Sequence, residues 1–199
     1  MAKVFQYGSN ADEARFNSED RLNGAAANGK SAQTVDDYDL VFDVWSTGNN
    51  CAASDLVQTP GRKAWGILYD VPDDRIGPSS VKGSPKTLTQ IEGSSYAKRQ
   101  IKVTCDGQAI DAVTFLVIDG KKIKDAATSA DYVRHIVRGL RSFAVPEDYV
   151  DHVIDIAIEN IKSARPKSQD ELVTVKQLRL GAIKKTLVLF NERADKLKD

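Results

Sequence analysis

The 199-residue sequence has no net charge and few aromatic residues, and both shortages argue against nucleic acid as a partner. Its 28 basic and 28 acidic side chains cancel, so the chain lacks the overall positive charge that attracts proteins to phosphate backbones. Aromatic residues make up 7% and are not interleaved with a basic cluster, as a stacking platform for single strands requires. We therefore expect no nucleic-acid partner.

The sequence also lacks a long apolar run and has only two cysteines. No run approaches the roughly 20 residues that a membrane-spanning helix needs. The first residues begin a strand pattern without the apolar region of a secretory signal. We therefore expect a cytoplasmic protein with no membrane partner. Free buried thiols are the favoured interpretation of Cys51 and Cys105, and a disulfide between them stays open.

Clusters of metal-binding or nucleophilic residues are missing as well. His135 and His152 are far apart in sequence and have no cysteine cluster beside them, which argues against a metal site and favours helix surfaces for both. A Cys51 nucleophile paired with either histidine is a weaker alternative than a small buried thiol. Residues 77–87 have the glycines of a phosphate loop but a serine where its lysine should stand, so we predict a polar surface turn.

Short strands are predicted in the first 120 residues. Leu40, Phe42 and Val44 occupy every second position, as in a half-buried strand. Residues 19–37 are rich in Asn, Gly, Ala and Asp without periodicity, which predicts an irregular surface segment. We expect the second and third strands to share a sheet and the last two to form a hairpin around an Asp-Gly turn. The predicted strands are Lys3–Tyr7, Tyr38–Trp45, Ala64–Val71, Gln100–Cys105 and Asp111–Ile118.

The last third of the chain has a helical pattern. Thr128 and Asp131 form a capping box before one helix, Pro146 fits the first turn of the next, and Ser168 with Glu171 opens a final segment. We expect these helices to pack against the core rather than to form a membrane-surface or partner-binding face. Their apolar stripes are Tyr132, Ile136, Leu140 and Phe143, then Val150, Val153, Ile154, Ala157, Ile158 and Ile161, and last Val175, Leu178, Ala182, Ile183, Leu189 and Phe190.

Two local patterns carry candidate chemistry. The first strand ends in Tyr7–Asn10 (Tyr-Gly-Ser-Asn), where successive backbone N–H groups can point into one concavity and bind an oxyanion. A plain polar turn is the alternative, because short motifs match by chance. Leu88–Glu92 followed by Gly93 predicts a short helix that ends in a carboxylate and a glycine cap. Taken alone, Glu92 fits a solvated side chain.

Taken in order, these patterns resemble the gamma-glutamylcyclotransferase-like (AIG2-like) family over about residues 3–150. The resemblance implies an α+β fold, in which residues 1–150 form a small mixed or antiparallel β-barrel with flanking helices. Residues 151–199 would add a C-terminal helical extension packed on that domain. The motifs are Tyr7–Asn10, the Pro-Gly-x-x-x-Trp-Gly of Pro60–Gly66, Glu92-Gly93 on a helix, Tyr132 before a later helix, and the string Gly139–Tyr149.

The resemblance also implies a reaction on a small gamma-glutamyl substrate. In the family reaction, the α-amine attacks the side-chain amide carbonyl, which forms 5-oxoproline and releases an amine or amino acid without metal or organic cofactor. Glu92 would take a proton from the attacking amine and return it to the leaving nitrogen. The residues that would bind substrate are Tyr7, Gly8, Ser9, Asn10, Tyr96 and Tyr132.

Three departures from the family pattern keep other functions open. Cys51–Ser54 stands where Gly-Gly-x-Ala is common, Phe115 where a strand tyrosine is common, and Ala11 where a large apolar residue follows the loop. One alternative is a non-catalytic module that holds a small ligand in the same pocket. Another is an adaptor that forms a homodimer or binds a protein partner through its C-terminal helices. In the enzyme, the extension could instead cap the pocket.

Overall fold

The computed structural model describes residues 1–79, 85–164 and 169–179. Its strands are β1 (Ala2–Gln6), β2 (Ala27–Thr34), β3 (Tyr38–Ser46), β4 (Cys51–Gln58), β5 (Trp65–Val71), β6 (Tyr96–Cys105) and β7 (Gln108–Val117). Five of them close into a barrel in the order β1, β5, β2, β6, β7. Neighbouring strands are antiparallel, except that β1 runs parallel to β7. With helices around this barrel, the predicted α+β fold is confirmed.

The other two strands form a separate antiparallel sheet, in which β3 pairs with β4. The prediction that the strands at residues 38–45 and 64–71 share a sheet is therefore wrong, because β5 lies in the barrel. The alternation predicted for β3 is confirmed, since Leu40, Phe42 and Val44 are buried. The predicted hairpin is also confirmed, as β6 pairs with β7 around Asp106 and Gly107.

The sequence patterns did not reveal β2 and β4. The irregular segment predicted at residues 19–37 is wrong for β2, whose pairing with β5 shifts register between Ala27 and Lys30. Asn28 has a φ of 52° within that irregularity, and most of the strand's first residues are exposed. β4 gives no alternation because its first six residues are all buried, and four of these are the small residues Cys, Ala, Ala and Ser.

The helices that accompany the strands in residues 1–164, as far as these are described, are α1 (Glu13–Phe16), α2 (Leu88–Glu92), α3 (Ala130–Ser142) and α4 (Glu147–Ser163). The predicted start of α3 is wrong by one residue, because Ser129 accepts from the Tyr132 N–H while the Thr128 N–H donates to Asn160. Pro146 directly precedes α4, and the stripe predicted for α4 is buried as expected. The division of the chain at residue 150 stays a prediction, and α4 runs across it.

Residues 169–179 are helical and lie against α3 and α4. Arg141 donates to the Leu178 carbonyl at 3.0 Å, and the Glu171 carboxylate accepts from the Ala130 N–H. Ser168 and the predicted apolar residues Ala182, Ile183, Leu189 and Phe190 lie outside the described residues. Among the described helices, none has the length and apolar character that crossing a membrane requires.

Candidate active site

One end of the barrel contains a cavity of about 70 Å³, here called the inner cavity. The turn after β1, the end of α2, the start of β6 and one residue of α3 meet there. Gln6, Arg21 and Ser54 also line it. The structure brings all the predicted site residues together, since the same cavity is lined by Tyr7, Gly8, Ser9, Asn10, Glu92, Tyr96 and Tyr132.

Two close contacts hold the Tyr7–Asn10 turn in place. A Cβ atom on Gly8 would lie 2.4 Å from the Ser54 hydroxyl oxygen, so only glycine lets the turn approach β4 this closely. A Cβ atom on Gly139 of α3 would lie 2.3 Å from the backbone carbon of Ala11. The turn is therefore packed between the second sheet and α3, and its backbone direction is set by both.

Glu92 is the last residue of α2, and local capping determines where that helix begins and ends. The Thr87 side chain and Gln90 form a capping box at its start, and it ends at Gly93, whose φ is 72°. The Glu92 carboxylate accepts a hydrogen bond from Asn10 Nδ2 at 3.0 Å. Asn10 Oδ1 in turn accepts from Arg21 Nη1 at 2.8 Å. A hydrogen-bonded chain therefore joins Arg21 to Glu92 through Asn10.

The environment of Glu92 raises its pKa above the ordinary value. Burial is the largest cause, and it outweighs the charge of Arg21 and the hydrogen bonds from Asn10 and Gln6, which act in the opposite direction. A carboxyl with a raised pKa can accept and release a proton closer to neutral pH than an exposed glutamate can. The Glu92 carboxyl therefore holds its proton to a higher pH than an exposed glutamate does.

The three tyrosines of the inner cavity have different partners. The Tyr7 hydroxyl donates to the Phe115 carbonyl at 2.6 Å, and the Tyr96 hydroxyl donates to the Ser54 carbonyl at 2.7 Å. Burial is the main cause that raises the pKa of both hydroxyls well above 10.0, and nearby carboxyl and tyrosine side chains add to it, so both stay protonated. The Tyr132 oxygen accepts from the Ser54 N–H at 3.2 Å and lies 3.0 Å from the Ser54 hydroxyl. Ser54 thus orders two of the three tyrosines.

Three residues at or beside the inner cavity were not predicted from the sequence: Gln6, Arg21 and Asp55. Arg21 lies in the segment without periodicity, and no local signal marks it. Asp55 follows Ser54 on β4 and is 1% exposed; its Oδ1 accepts from the Val117 N–H at 2.9 Å, and its Oδ2 lies 3.7 Å from Lys122 Nζ. The available signal in the sequence was an aspartate that directly follows the four small residues Cys51–Ser54. Asp55 anchors β4, and with it Ser54, against β7.

A second and larger cavity of about 410 Å³, here called the outer cavity, adjoins the inner one. Trp45, which is 45% exposed, forms part of its wall with the β3–β4 turn and α1. The two cavities share six lining residues: Arg21, Ser46, Asn49, Ile91, Glu92 and Tyr96. Because Glu92 lines both, a ligand bound beside its carboxyl can extend into the outer cavity.

The histidines and cysteines lie outside the inner cavity. His135 Nδ1 lies 2.7 Å from Asp12 Oδ2, and His152 Nε2 lies 2.8 Å from Asp39 Oδ1. Both imidazoles are about a quarter to a third exposed, so each is part of a hydrogen-bonded pair rather than a free surface group. Both cysteines are buried and free. Within the described ranges, no group of three His, Cys, Asp or Glu residues could hold a metal ion.

Several solved structures share this fold. A protein described as gamma-glutamyl cyclotransferase has a TM-score of 0.63 and 20% identity, over 88% of this chain and 98% of its own. Uncharacterized protein loc79017 from Homo sapiens has a TM-score of 0.62 and 20% identity over the same shares. YkqA from Bacillus subtilis has a TM-score of 0.61 and 21% identity, over 78% of this chain and 54% of its own.

Sequence comparison extends this result from fold to family. None of the curated protein sequences matches the chain. The family model described as gamma-glutamyl cyclotransferase, AIG2-like matches residues 4–134, the larger part of the chain. Those residues include every one that lines the inner cavity. The chain therefore belongs to the gamma-glutamyl cyclotransferase, AIG2-like family.

Proposed function

We propose that this protein is a gamma-glutamylcyclotransferase-type enzyme, which converts a gamma-glutamyl amide to 5-oxoproline and releases an amine or an amino acid. The observation that carries the proposal is the position of Glu92 in the inner cavity, beside the Tyr7–Asn10 turn, in a chain of this family. Its raised pKa suits a group that must gain and lose a proton in each turnover. The proposed compartment is the cytoplasm.

In the proposed reaction the substrate supplies its own nucleophile. The α-amine nitrogen bonds to the side-chain amide carbon, and the bond from that carbon to the leaving nitrogen then breaks. Glu92 takes the proton that the attacking nitrogen loses and returns it to the leaving nitrogen. Because the reaction is intramolecular, the remaining tasks are to hold an attacking conformer and to stabilise the oxyanion.

The residues around Glu92 have proposed roles in those two tasks. Backbone N–H groups of Gly8, Ser9 and Asn10 bind substrate oxygens, and each donor to the developing oxyanion contributes roughly 3 kcal/mol. Tyr96 and Tyr132, ordered by Ser54, position the substrate. Tyr7 lines the site as well, and its hydroxyl is held in place by a hydrogen bond to the Phe115 carbonyl.

The Asn10 side chain has a further role in this proposal, as a positioning residue. Its Nδ2 donates to the Glu92 carboxylate at 3.0 Å, while its Oδ1 is held by Arg21 at 2.8 Å. The amide therefore fixes one carboxylate oxygen, and Gln6 also donates a hydrogen bond to the carboxyl. Arg21 fixes the orientation of the amide, because a flipped Asn10 would place its NH₂ group against the guanidinium.

Mass spectrometry of 5-oxoproline released from a panel of gamma-glutamyl amino acids and amines tests the proposal. Glu92→Gln should lower kcat/KM by about 10²- to 10⁴-fold, because the amide cannot carry the proton. The matched control is Glu159→Gln, which changes an exposed glutamate on α4 in the same way and should leave release unchanged.

Two outcomes would contradict the proposal in different ways. Full release by Glu92→Gln would remove the acid/base role of this residue while leaving the enzyme in place. Binding of a gamma-glutamyl compound to the wild-type protein without any 5-oxoproline would favour the non-catalytic binding module. Dimerisation, or a protein partner held by the C-terminal helices, stays a separate prediction that sedimentation of the full chain can test.

A further inference from the structure

Gln6 is a polar side chain in the buried half of β1. Val4, Phe5 and Gln6 are each at most 6% exposed. Because successive side chains of a strand point to opposite faces, Gln6 shares a face with Val4 and not with Phe5. A buried amide costs stability unless it is hydrogen-bonded, so packing alone favours an apolar residue at this position. The presence of Gln6 therefore calls for a polar partner.

The neighbouring strands fix the backbone around Gln6. Gln6 pairs with Ile67 of β5, and a Cβ atom on Gly66 would lie 2.6 Å from the Gln6 carbonyl oxygen. On the side of β7, the Thr114 hydroxyl donates to the Phe5 carbonyl at 2.9 Å. Because strands on both sides hold this part of β1, the Gln6 side chain enters the wall of the inner cavity from a fixed position.

The polar partner of Gln6 is the carboxyl of Glu92. Both residues line the inner cavity, and Gln6 donates a hydrogen bond to the carboxyl there. Asn10 Nδ2 donates to the same carboxyl at 3.0 Å. Gln6 directly precedes the Tyr7–Asn10 turn and Asn10 ends it, so the two ends of one turn present two amide donors to one carboxyl.

These two donors act against the effect of burial on Glu92. Burial raises the pKa of the carboxyl, whereas the charge of Arg21 and the hydrogen bonds from Asn10 and Gln6 lower it. The guanidinium of Arg21 donates to the Asn10 amide oxygen at 2.8 Å. Gln6 and Asn10 are neutral, so they stabilise the ionised carboxyl without adding a positive charge next to it. Such a carboxyl can ionise and still take up a proton.

We propose that Gln6 is a positioning residue, which holds the Glu92 carboxyl together with Asn10 and stabilises the ionised form that takes the proton from the attacking amine. The inference rests on the proposed function, in which Glu92 is the general acid/base. Gln6 acts on turnover through Glu92. Loss of its amide should therefore change the pH at which Glu92 ionises, whereas loss of a space-filling side chain would lower activity equally at every pH.

NMR titration of the side-chain carboxyl carbon of Glu92 tests this effect directly. The signal is assigned by its absence from Glu92→Gln. Gln6→Met keeps the length of the side chain but cannot donate, so the titration midpoint should move up by about one pH unit, as expected for one hydrogen bond to a charged group. Gln100→Met makes the same change at an exposed position of β6 and should leave the midpoint unchanged. An unchanged midpoint in Gln6→Met would overturn the inference.

The pH dependence of 5-oxoproline release gives a second measurement. In the wild type, kcat/KM should fall at low pH as Glu92 becomes protonated, and in Gln6→Met this fall should begin about one pH unit higher. At higher pH, Glu92 is ionised in both proteins, and kcat/KM of the variant should approach that of the wild type. A loss by the same factor at every pH would mean that Gln6 only fills space, which contradicts the inference.

A second variant keeps the inference testable if Gln6→Met does not fold. Gln6→Glu has the same shape and places another carboxyl beside Glu92, so the pair should hold one proton to a higher pH than Glu92 does in the wild type. Titration of this variant at the wild-type pH would overturn the inference. Absence of 5-oxoproline from the wild type would contradict the proposed function instead, and the NMR titration would still decide whether Gln6 stabilises the ionised carboxyl.

Discussion

The two ends of the barrel handle charge in opposite ways. At the end of the β6–β7 turn, a cavity of about 360 Å³ is bordered by charged side chains that are already paired. Lys3 lies 2.6 Å from Asp70, and Lys30 lies 2.7 Å from Asp106. At the other end, the inner cavity is only about 70 Å³, and its carboxylate, Glu92, has amide rather than cationic hydrogen-bond partners.

Cavity size does not distinguish the two ends, because the outer cavity of about 410 Å³ adjoins the inner one at the Glu92 end. Exposed ion pairs contribute little to stability and leave no group with unusual reactivity. A carboxyl that burial keeps from ionising at its ordinary pKa opposes folding, and it can exchange protons near neutral pH. Burial therefore acts against ionisation of Glu92 at one end of the barrel, whereas the described charged side chains that border the cavity at the opposite end lie in ion pairs.

The largest expected effect on stability concerns the packing that builds the Glu92 end. Gly139→Ala should lower the free energy of unfolding by about 3 kcal/mol, because the new methyl group would collide with the backbone of Ala11 and Asp12, which cannot rotate away. Urea denaturation measures the change. Gly77→Ala, where a methyl group would meet open space, is the matched control. Equal stabilities of the two variants would show that α3 does not constrain the turn.

An effect of intermediate size is expected at Glu92 itself, and its sign is a gain. Since burial raises the pKa of this carboxyl in the folded state, ionising it costs stability as the pH rises through that raised pKa. Glu92→Gln cannot ionise, so it should be more stable than the wild type by about 1 kcal/mol at neutral pH. Below about pH 4 the Glu92 carboxyl of the wild type is uncharged in both the folded and the unfolded state, so the gain from Glu92→Gln should vanish.

Thermal denaturation of both proteins from acid to neutral pH measures this gain. Glu159→Gln, which removes an exposed carboxylate paired with Lys162, should show no such pH-dependent gain. A loss of stability in Glu92→Gln at neutral pH would mean that the hydrogen bonds from Asn10 and Gln6 outweigh burial. The contrast between the two ends of the barrel would then disappear.

Much of the fold and part of the site could be predicted from local sequence. Alternation revealed β3, and an Asp-Gly turn revealed the β6–β7 hairpin, because both signals lie within a few residues. The turn at Tyr7–Asn10 and the end of α2 at Glu92 are local in the same sense, and the structure places both at one cavity. β4 was missed because burial of both faces removes alternation.

The residues missed at the site depend on contacts between distant segments. Arg21 matters because it holds the Asn10 amide, and Asp55 because it accepts from the backbone of Val117. Neither contact leaves a spacing or a period in the sequence. The pairing of β3 with β4 instead of β5 is also a question of topology, since alternation shows that a strand has one buried face but not which strand lies beside it.

The smallest effect is expected at the opposite end of the barrel. Lys3→Gln removes the charge that pairs with Asp70 but keeps most of the aliphatic stem, and Lys3 is about half exposed. The free energy of unfolding should fall by less than about 1 kcal/mol, and the difference should shrink in about 1 M salt, which screens the pair. Release of 5-oxoproline should be unchanged, because the side chain lies outside both the inner and the outer cavity. A large loss of either stability or activity in Lys3→Gln would mean that the paired end of the barrel is coupled to the site, and that the two ends are not independent.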